Sequence, residues 1–232
     1  MSPKSGGPSG GRRRPAERLK NARRLKPSSQ RWVARQLKDP YVAEAKRQGY
    51  RSRAAFKLIE LDNRFHVLKP GQKVVDLGAA PGGWTQVAVE RSKAAQGQGR
   101  VVALDVLPME PIAGASLITL DFMDDAAPEK LKAALAGRAD VVLSDMAQPT
   151  MGHEATDHLR IVALAEAALA FALEVLAPGG AFVCKLFQGG AERGMLETLM
   201  RRFAQVRHAK PPASRKESAE TYVVAQGFRA ET

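Results

Sequence analysis

Residues 73–87 read Lys73-Val74-Val75-Asp76-Leu77-Gly78-Ala79-Ala80-Pro81-Gly82-Gly83-Trp84-Thr85-Gln86-Val87. A β-branched run reaches an acidic residue and spills into a loop with three glycines, after which a helical pattern opens at Trp84. Glycine tolerates positive φ and lets backbone N–H groups come close to a ligand. At the carboxyl end of the first strand of an α/β unit, such a loop marks the seat of a nucleotide-like cofactor. The spacing is neither Gly-x-Gly-x-x-Gly nor Gly-x-x-x-x-Gly-Lys-Ser/Thr, which removes the usual support for a dinucleotide or P-loop site.

Outward from this loop the chain alternates strand and helix. Strands are expected at 73–77, 101–105, 116–121, 140–145, 180–187 and 220–226, with a short one near 204–208; helices are expected at 84–93, 127–136, 158–176 and 191–203. The alternation predicts a mostly parallel, doubly wound, seven-stranded α/β sheet with helices on both faces. Pro178-Gly179-Gly180 is read as the end of the long helix and the turn into a strand. Asp76, Asp105, Asp121 and Asp145 each fall at an expected strand end, so they should form a row along one crevice.

Upstream, the composition shifts. Of the net charge of +12, residues 1–57 hold 17 Lys/Arg against three acids, whereas the remaining residues hold 19 against 21. A near-neutral body with a basic arm is the footprint of a polyanion partner. Residues 1–28 are rich in Ser, Gly, Pro and Arg and are expected to be a disordered tail. An Arg-rich start also suits an organellar transit peptide, but the glycines and prolines of Ser5–Gly11 would spoil its amphipathic helix. Helices are expected over 29–37 and 41–48, the second stopped by Gly49, and a third over 53–63 capped by Ser52. Trp32, Tyr41, Tyr50 and Phe56 interleave with the basic residues, a mixture suited to base stacking plus phosphate contact.

Several classes lose support. No apolar stretch is long enough to span a bilayer, and no apolar segment of a secretory signal follows the basic start. The single cysteine, Cys184, cannot form an internal disulfide, which fits a reducing compartment and a cytoplasmic protein. His66, His153, His158 and His208 show no metal-ligand spacing, and no metal is expected.

Individual residues then suggest chemistry. Asp105 ends the second strand, where a carboxylate either accepts from both hydroxyls of a ribose or simply caps a turn. Asp121 offers an acceptor for an adenine amino group, or is a turn aspartate. Lys185 closes an apolar strand, so it snorkels out or faces the crevice, where Asp145 on the neighbouring strand end would pair with it. Taken alone, Glu220 is an edge charge and Lys57 a solvated basic residue.

Five segments together narrow the reading: Arg51-Ser52-Arg53-Ala54-Ala55-Phe56-Lys57-Leu58, the loop 75–84, Ser144-Asp145-Met146-Ala147, Cys184-Lys185-Leu186-Phe187-Gln188-Gly189 and Ser218-Ala219-Glu220-Thr221-Tyr222. In order and spacing, from about Arg31 to Gly227, the set resembles the FtsJ/RrmJ family of S-adenosylmethionine-dependent RNA ribose 2′-O-methyltransferases. The likeness is strongest to the bacterial members that act on a uridine of 23S ribosomal RNA. The resemblance implies a Rossmann-like class I methyltransferase domain over 29–232, with RNA-contacting helices at 29–65 and a core at 73–227. It implies a catalytic tetrad of Lys57, Asp145, Lys185 and Glu220, and S-adenosylmethionine contacts at Gly82, Trp84, Asp105, Asp121 and Asp145. Lys185 is then the expected general base, or the group that orients the hydroxyl if it keeps its proton; Asp145 orients Lys185, and Lys57 and Glu220 are positioning groups. The implied partner is 23S ribosomal RNA within the large ribosomal subunit, with the protein a monomer and no membrane involved. Competing readings are the same chemistry on transfer RNA or another RNA, and a non-catalytic ribosome-assembly factor. Two departures stand out: Gln148-Pro149-Thr150 follows Ala147 where the bacterial members have proline at once, and the basic arm before Ser28 is longer than the family needs.

Overall fold

Lys73–Leu77 forms β1, the strand on which the sheet is assembled. It pairs in parallel with β2 (Arg100–Asp105) on one side and with β4 (Ala139–Ser144) on the other. The computed structural model describes residues 39–147, 154–187 and 193–230. The expected helix at 29–37, the tail 1–28 and the loop Gln148-Pro149-Thr150 lie outside them. The remaining strands are β3 (Ala115–Thr119), β5 (Leu176–Phe187), β6 (Phe203–Ala209) and β7 (Glu220–Phe228), and the sheet order is β3-β2-β1-β4-β5-β7-β6. In chain order the helices are α1 (Pro40–Gln48), α2 (Ala55–Phe65), α3 (Gly83–Ser92), α4 (Ala127–Leu135), α5 (Glu154–Val175) and α6 (Arg193–Arg202).

Near-continuous apolar runs make the central strands suitable for burial on both faces. Neighbouring residues of β1 feed opposite sides. Val74 packs with Leu58 and Leu61 of α2 and Val87 of α3. Val75 packs with Leu131 of α4 and Leu169 of α5. The expected doubly wound α/β sheet of seven strands is the observed one, with a difference at its far edge. There β7 runs antiparallel to both β5 and β6. The ten residues 210–219 between β6 and β7 include Pro211-Pro212 and contain no helix, too little for the crossover of about a dozen or more residues that a parallel neighbour requires.

Two local expectations need correction. Ser52 does not cap α2: the N-cap is Ala54, with no side-chain hydrogen bond, and residues 51–54 form a turn in which the Ser52 carbonyl accepts from the Ala55 N–H at 3.2 Å. Pro178-Gly179-Gly180 does not precede the strand but lies inside β5, where the pairing with β4 slips between Ala139 and Val141. Gly179 has φ +83°, and a Cβ on Gly180 would sit 2.8 Å from the Ala177 carbonyl oxygen, so the slip needs both glycines. By contrast, α1 stops at Gly49 in the left-handed region, φ +78°, after Asp39 accepts from the Tyr41 N–H at its start.

Candidate active site

The crevice opens where β1, β2 and β4 end. The glycine loop is pinned to the next strand by N–H groups of Gly78 and Ala79, which donate to the Leu104 carbonyl at 2.9 and 3.2 Å. Gly78 has φ +76°, and a Cβ there would lie 2.7 Å from the Met146 Cα, so the β4 end approaches the loop more closely than a side chain would allow. A cavity of about 500 Å³ results, lined by Gly78, Ala80, Asp105, Asp121, Phe122 and Asp145 among others. Asp105 accepts the Ala80 N–H at 2.8 Å on one oxygen and the Leu107 N–H at 2.9 Å on the other. A carboxylate has about four acceptor sites, so Asp105 shapes the wall and keeps capacity for a ligand. Asp121 accepts the Met123 N–H at 3.0 Å and likewise keeps acceptor capacity.

Asp76 is not part of this row. It is fully buried, and its Oδ2 accepts the Thr85 hydroxyl at 2.6 Å while Oδ1 has no hydrogen-bond partner among the described residues. Burial pushes its carboxyl up to about 7, and the nearby Asp145 and Asp105 add to the rise. Gly82 and Trp84 also stand apart from the cavity lining. Gly82 is the N-cap of α3 with φ +109°. The Trp84 indole is core: it donates to the Ala54 carbonyl at 2.8 Å and packs against Tyr222 with ring centroids 5.6 Å apart. Any contact of Trp84 with a ligand in the cavity therefore falls to its backbone.

Next to the cavity, neighbouring strands bring three members of the tetrad together. Ser144 of β4 pairs with Cys184 of β5, so Asp145 and Lys185 follow side by side. The Lys185 ammonium lies 3.1 Å from Asp145 Oδ1 and donates to the Asp145 carbonyl oxygen at 2.6 Å. Across the antiparallel seam Lys185 faces Tyr222, whose hydroxyl donates to Asp145 Oδ1 at 2.9 Å. Glu220 and Tyr222, two apart on β7, share a face. Lys57, one turn into α2, reaches over the sheet to Glu220 Oε2 at 2.7 Å and sits 5.8 Å from the Tyr222 ring centre. Ser214 Oγ donates to the other Glu220 oxygen at 2.7 Å.

Sequence reasoning gave no role to Tyr222 or Ser214. The two-residue period of β7 placed Tyr222 beside Glu220 and was available as a signal. Ser214 sits in an irregular loop, which carries no periodicity to read.

The electrostatics favour an ionised Asp145. Burial pushes its carboxyl up, but Lys185 and Lys57, with the Tyr222 hydroxyl, outweigh burial and hold it below its ordinary value. Burial, with Asp145 and Glu220 beside it, raises the Tyr222 hydroxyl well above its ordinary value, so Tyr222 stays a donor. Lysine carries three N–H donors. Lys185 directs two of them at oxygens of Asp145, which leaves the third for a hydroxyl brought beside it. Two cations and two carboxylates, nearly buried and mutually bonded, form a neutral set that can hold a hydroxyl beside whatever fills the cavity.

A model of the FtsJ-like methyltransferase family matches residues 50–228. The ribosomal RNA large subunit methyltransferase E of Paramagnetospirillum magneticum is 64% identical over 225 residues, covering 96% of this chain and 92% of that one. The protein of the same name from Acidiphilium cryptum is 64% identical over 220 residues, covering 95% and 96%. Among solved structures, a Plasmodium falciparum protein assigned as a ribosomal RNA methyltransferase superposes with a TM-score of 0.68 at 32% identity, covering 78% of this chain and 100% of that one. Glycine loop, crevice and four-residue cluster all fall within the matched residues, and the chain belongs to the FtsJ-like methyltransferase family.

Proposed function

We propose that the protein transfers a methyl group from S-adenosylmethionine to the 2′-oxygen of a uridine ribose in 23S ribosomal RNA of the large ribosomal subunit, acting as a cytoplasmic monomer. The observation that carries this reading is that one residue, Asp145, both lines the cavity and holds Lys185. The methyl donor and the acceptor hydroxyl thus have adjoining places.

The cavity suits the donor. Its volume falls within the roughly 300–1,000 Å³ of small-molecule sites, and Asp105 and Asp121 keep acceptor capacity for ribose hydroxyls and an exocyclic amino group. Gly78 supplies a floor without a side chain, and the backbone of Gly82 and Trp84 begins α3 beside it. S-adenosylmethionine supplies a sulfonium methyl already activated for transfer. What remains for the protein is alignment and one proton, and alignment alone can supply roughly 7–11 kcal/mol of a barrier. Within its ion pair with Asp145, Lys185 orients the 2′-hydroxyl and stabilises the charge that grows on oxygen, the C–O bond forming as the sulfonium C–S bond breaks and the 2′-proton passing to solvent. Asp145, fixed by Tyr222, keeps Lys185 in place; Lys57 and Glu220 brace the acceptor side. Only RNA offers a 2′-hydroxyl, and the basic residues before Arg51 suit its phosphates.

The test is to supply labelled S-adenosylmethionine with large ribosomal subunits, isolated ribosomal RNA and transfer RNA, then map the modified ribose. Label on a single uridine ribose of the large subunit is the expected result. Label confined to transfer RNA, or none on any RNA, overturns it.

A further inference from the structure

The basic residues ahead of Lys57 read in sequence as one polyanion-binding block, yet Arg51 and Arg53 spend their guanidinium groups on distant parts of the protein, whereas Arg47 pairs with Glu44 on its own helix. Arg51 and Arg53 lie in the turn between α1 and α2. The Arg51 fork clasps consecutive carbonyls, Nη1 donating to Glu110 at 2.7 Å and Nη2 to Pro111 at 2.8 Å. These belong to the loop from Val106 to Gly114, whose first residues, Val106 and Leu107, line the cavity. The Arg51 backbone N–H donates to Gln86 Oε1 at 2.8 Å, and Gln86 Nε2 donates back to the Gly49 carbonyl at 3.0 Å. Gly82 lets the side chain through: a Cβ there would meet Arg51 Cδ at 3.1 Å and Ile112 Cδ1 at 2.8 Å. One side chain therefore ties the glycine-loop side of the cavity to its opposite wall.

Arg53 points the other way. Its Nη2 donates to the Ala213 carbonyl at 2.6 Å and its Nε pairs with Asp39 at 2.8 Å. Ala213 also donates its N–H to Glu60 of α2 at 2.6 Å, and the next residue, Ser214, holds Glu220. Arg53 thus fixes the loop that positions the Lys57–Glu220 pair.

We infer that Arg51 and Arg53 are positioning residues that separately set the two halves of the site, Arg51 the donor pocket and Arg53 the acceptor side, rather than phosphate contacts for RNA. The inference rests on the proposed methyl transfer to RNA. It divides the basic block by function: these two shape the site, and phosphate contact falls to other basic residues.

The experiment compares Arg51→Ala, Arg51→Lys and Arg53→Ala in the full chain. It measures S-adenosylhomocysteine binding by calorimetry, RNA binding against salt, and KM and kcat for transfer. Loss of charge-assisted hydrogen bonds at the donor pocket is expected to weaken S-adenosylhomocysteine and raise the donor KM by roughly tenfold or more in Arg51→Ala. The salt slope for RNA should be unchanged. Arg51→Lys keeps the charge but not the planar fork, so it should not rescue. Arg53→Ala should keep donor affinity and lose roughly tenfold in kcat at saturation. If Arg51→Ala fails to fold, Arg51→Lys carries the same comparison. Weakened RNA binding with a shallower salt slope and an unmoved donor KM, or rescue by Arg51→Lys, would overturn the inference. If the wild-type chain binds S-adenosylhomocysteine but methylates no RNA, the parent reading fails while the Arg51 part stands or falls on the binding data alone. A wild-type chain that binds no S-adenosylhomocysteine overturns both.

Discussion

Asp76 is a fully buried carboxyl with an oxygen unpartnered among the described residues. A carboxylate without water, with one oxygen lacking a hydrogen-bond partner among the described residues and two aspartates nearby, is forced toward its neutral form, and its value rises from 3.8 to about 7. A carboxyl raised on folding contributes stability that is complete below about pH 4 and is lost as pH climbs to about 7. Asp76→Asn removes that titration. The variant's stability relative to wild type should therefore rise between pH 5 and pH 8 by at most about 3 kcal/mol, the roughly two pH units of the shift that lie above pH 5. Urea melts of both proteins at the two pH values check this, and a gap that does not change with pH would contradict it. Tyr222 makes a second case. Tyr222→Phe leaves Asp145 short of a donor in a buried cluster, a loss of about 1.5–3 kcal/mol for a hydrogen bond to a charged group. A fall in thermal stability together with a slower methyl transfer at saturating substrates is the expected outcome, read from melting curves and kcat.

The elements differ in how far the sequence disclosed them. Strands β1, β2 and β4 were legible because burial on both faces demands uninterrupted apolar runs, and their acidic ends marked the crevice. The reversal of β7 was not, since a strand looks the same in either direction and only the short helix-free link 210–219 tells them apart. Pro178-Gly179-Gly180 misled because a slip inside a strand and a turn before one use the same residues. Asp145, Lys185 and Glu220 could each be placed at a strand end, but taken alone each had an ordinary reading, and only the register of β4, β5 and β7 unites them. Ser52, which reads as a cap, has its hydroxyl beside Gly83: a Cβ there would collide with it. At the loop, Gly78→Ala combines a positive φ with a backbone clash against Met146. Its expected outcome is loss of S-adenosylhomocysteine binding by at least roughly a hundredfold in calorimetry, with lowered stability.

Across the whole molecule, the proposed function calls for a near-neutral body that carries the chemistry joined to a basic amino-terminal stretch. The division of charge at Lys57 suits a protein that grips RNA phosphates with one end and aligns a ribose with the other. Deleting residues 1–28 is expected to weaken RNA binding and flatten its dependence on salt, because fewer counterions are released; an unchanged slope in a salt titration would count against the arm. The central claim is that cavity and tetrad are one site meeting at Asp145, with Lys185 acting on the acceptor and not on the donor. Lys185→Ala separates the two most directly, measured as S-adenosylhomocysteine affinity and single-turnover methyl transfer on the same preparation. The account predicts affinity within a few-fold of wild type and transfer reduced by on the order of 10²–10³-fold or more. Transfer at a rate near that of wild type, with affinity intact, would contradict it.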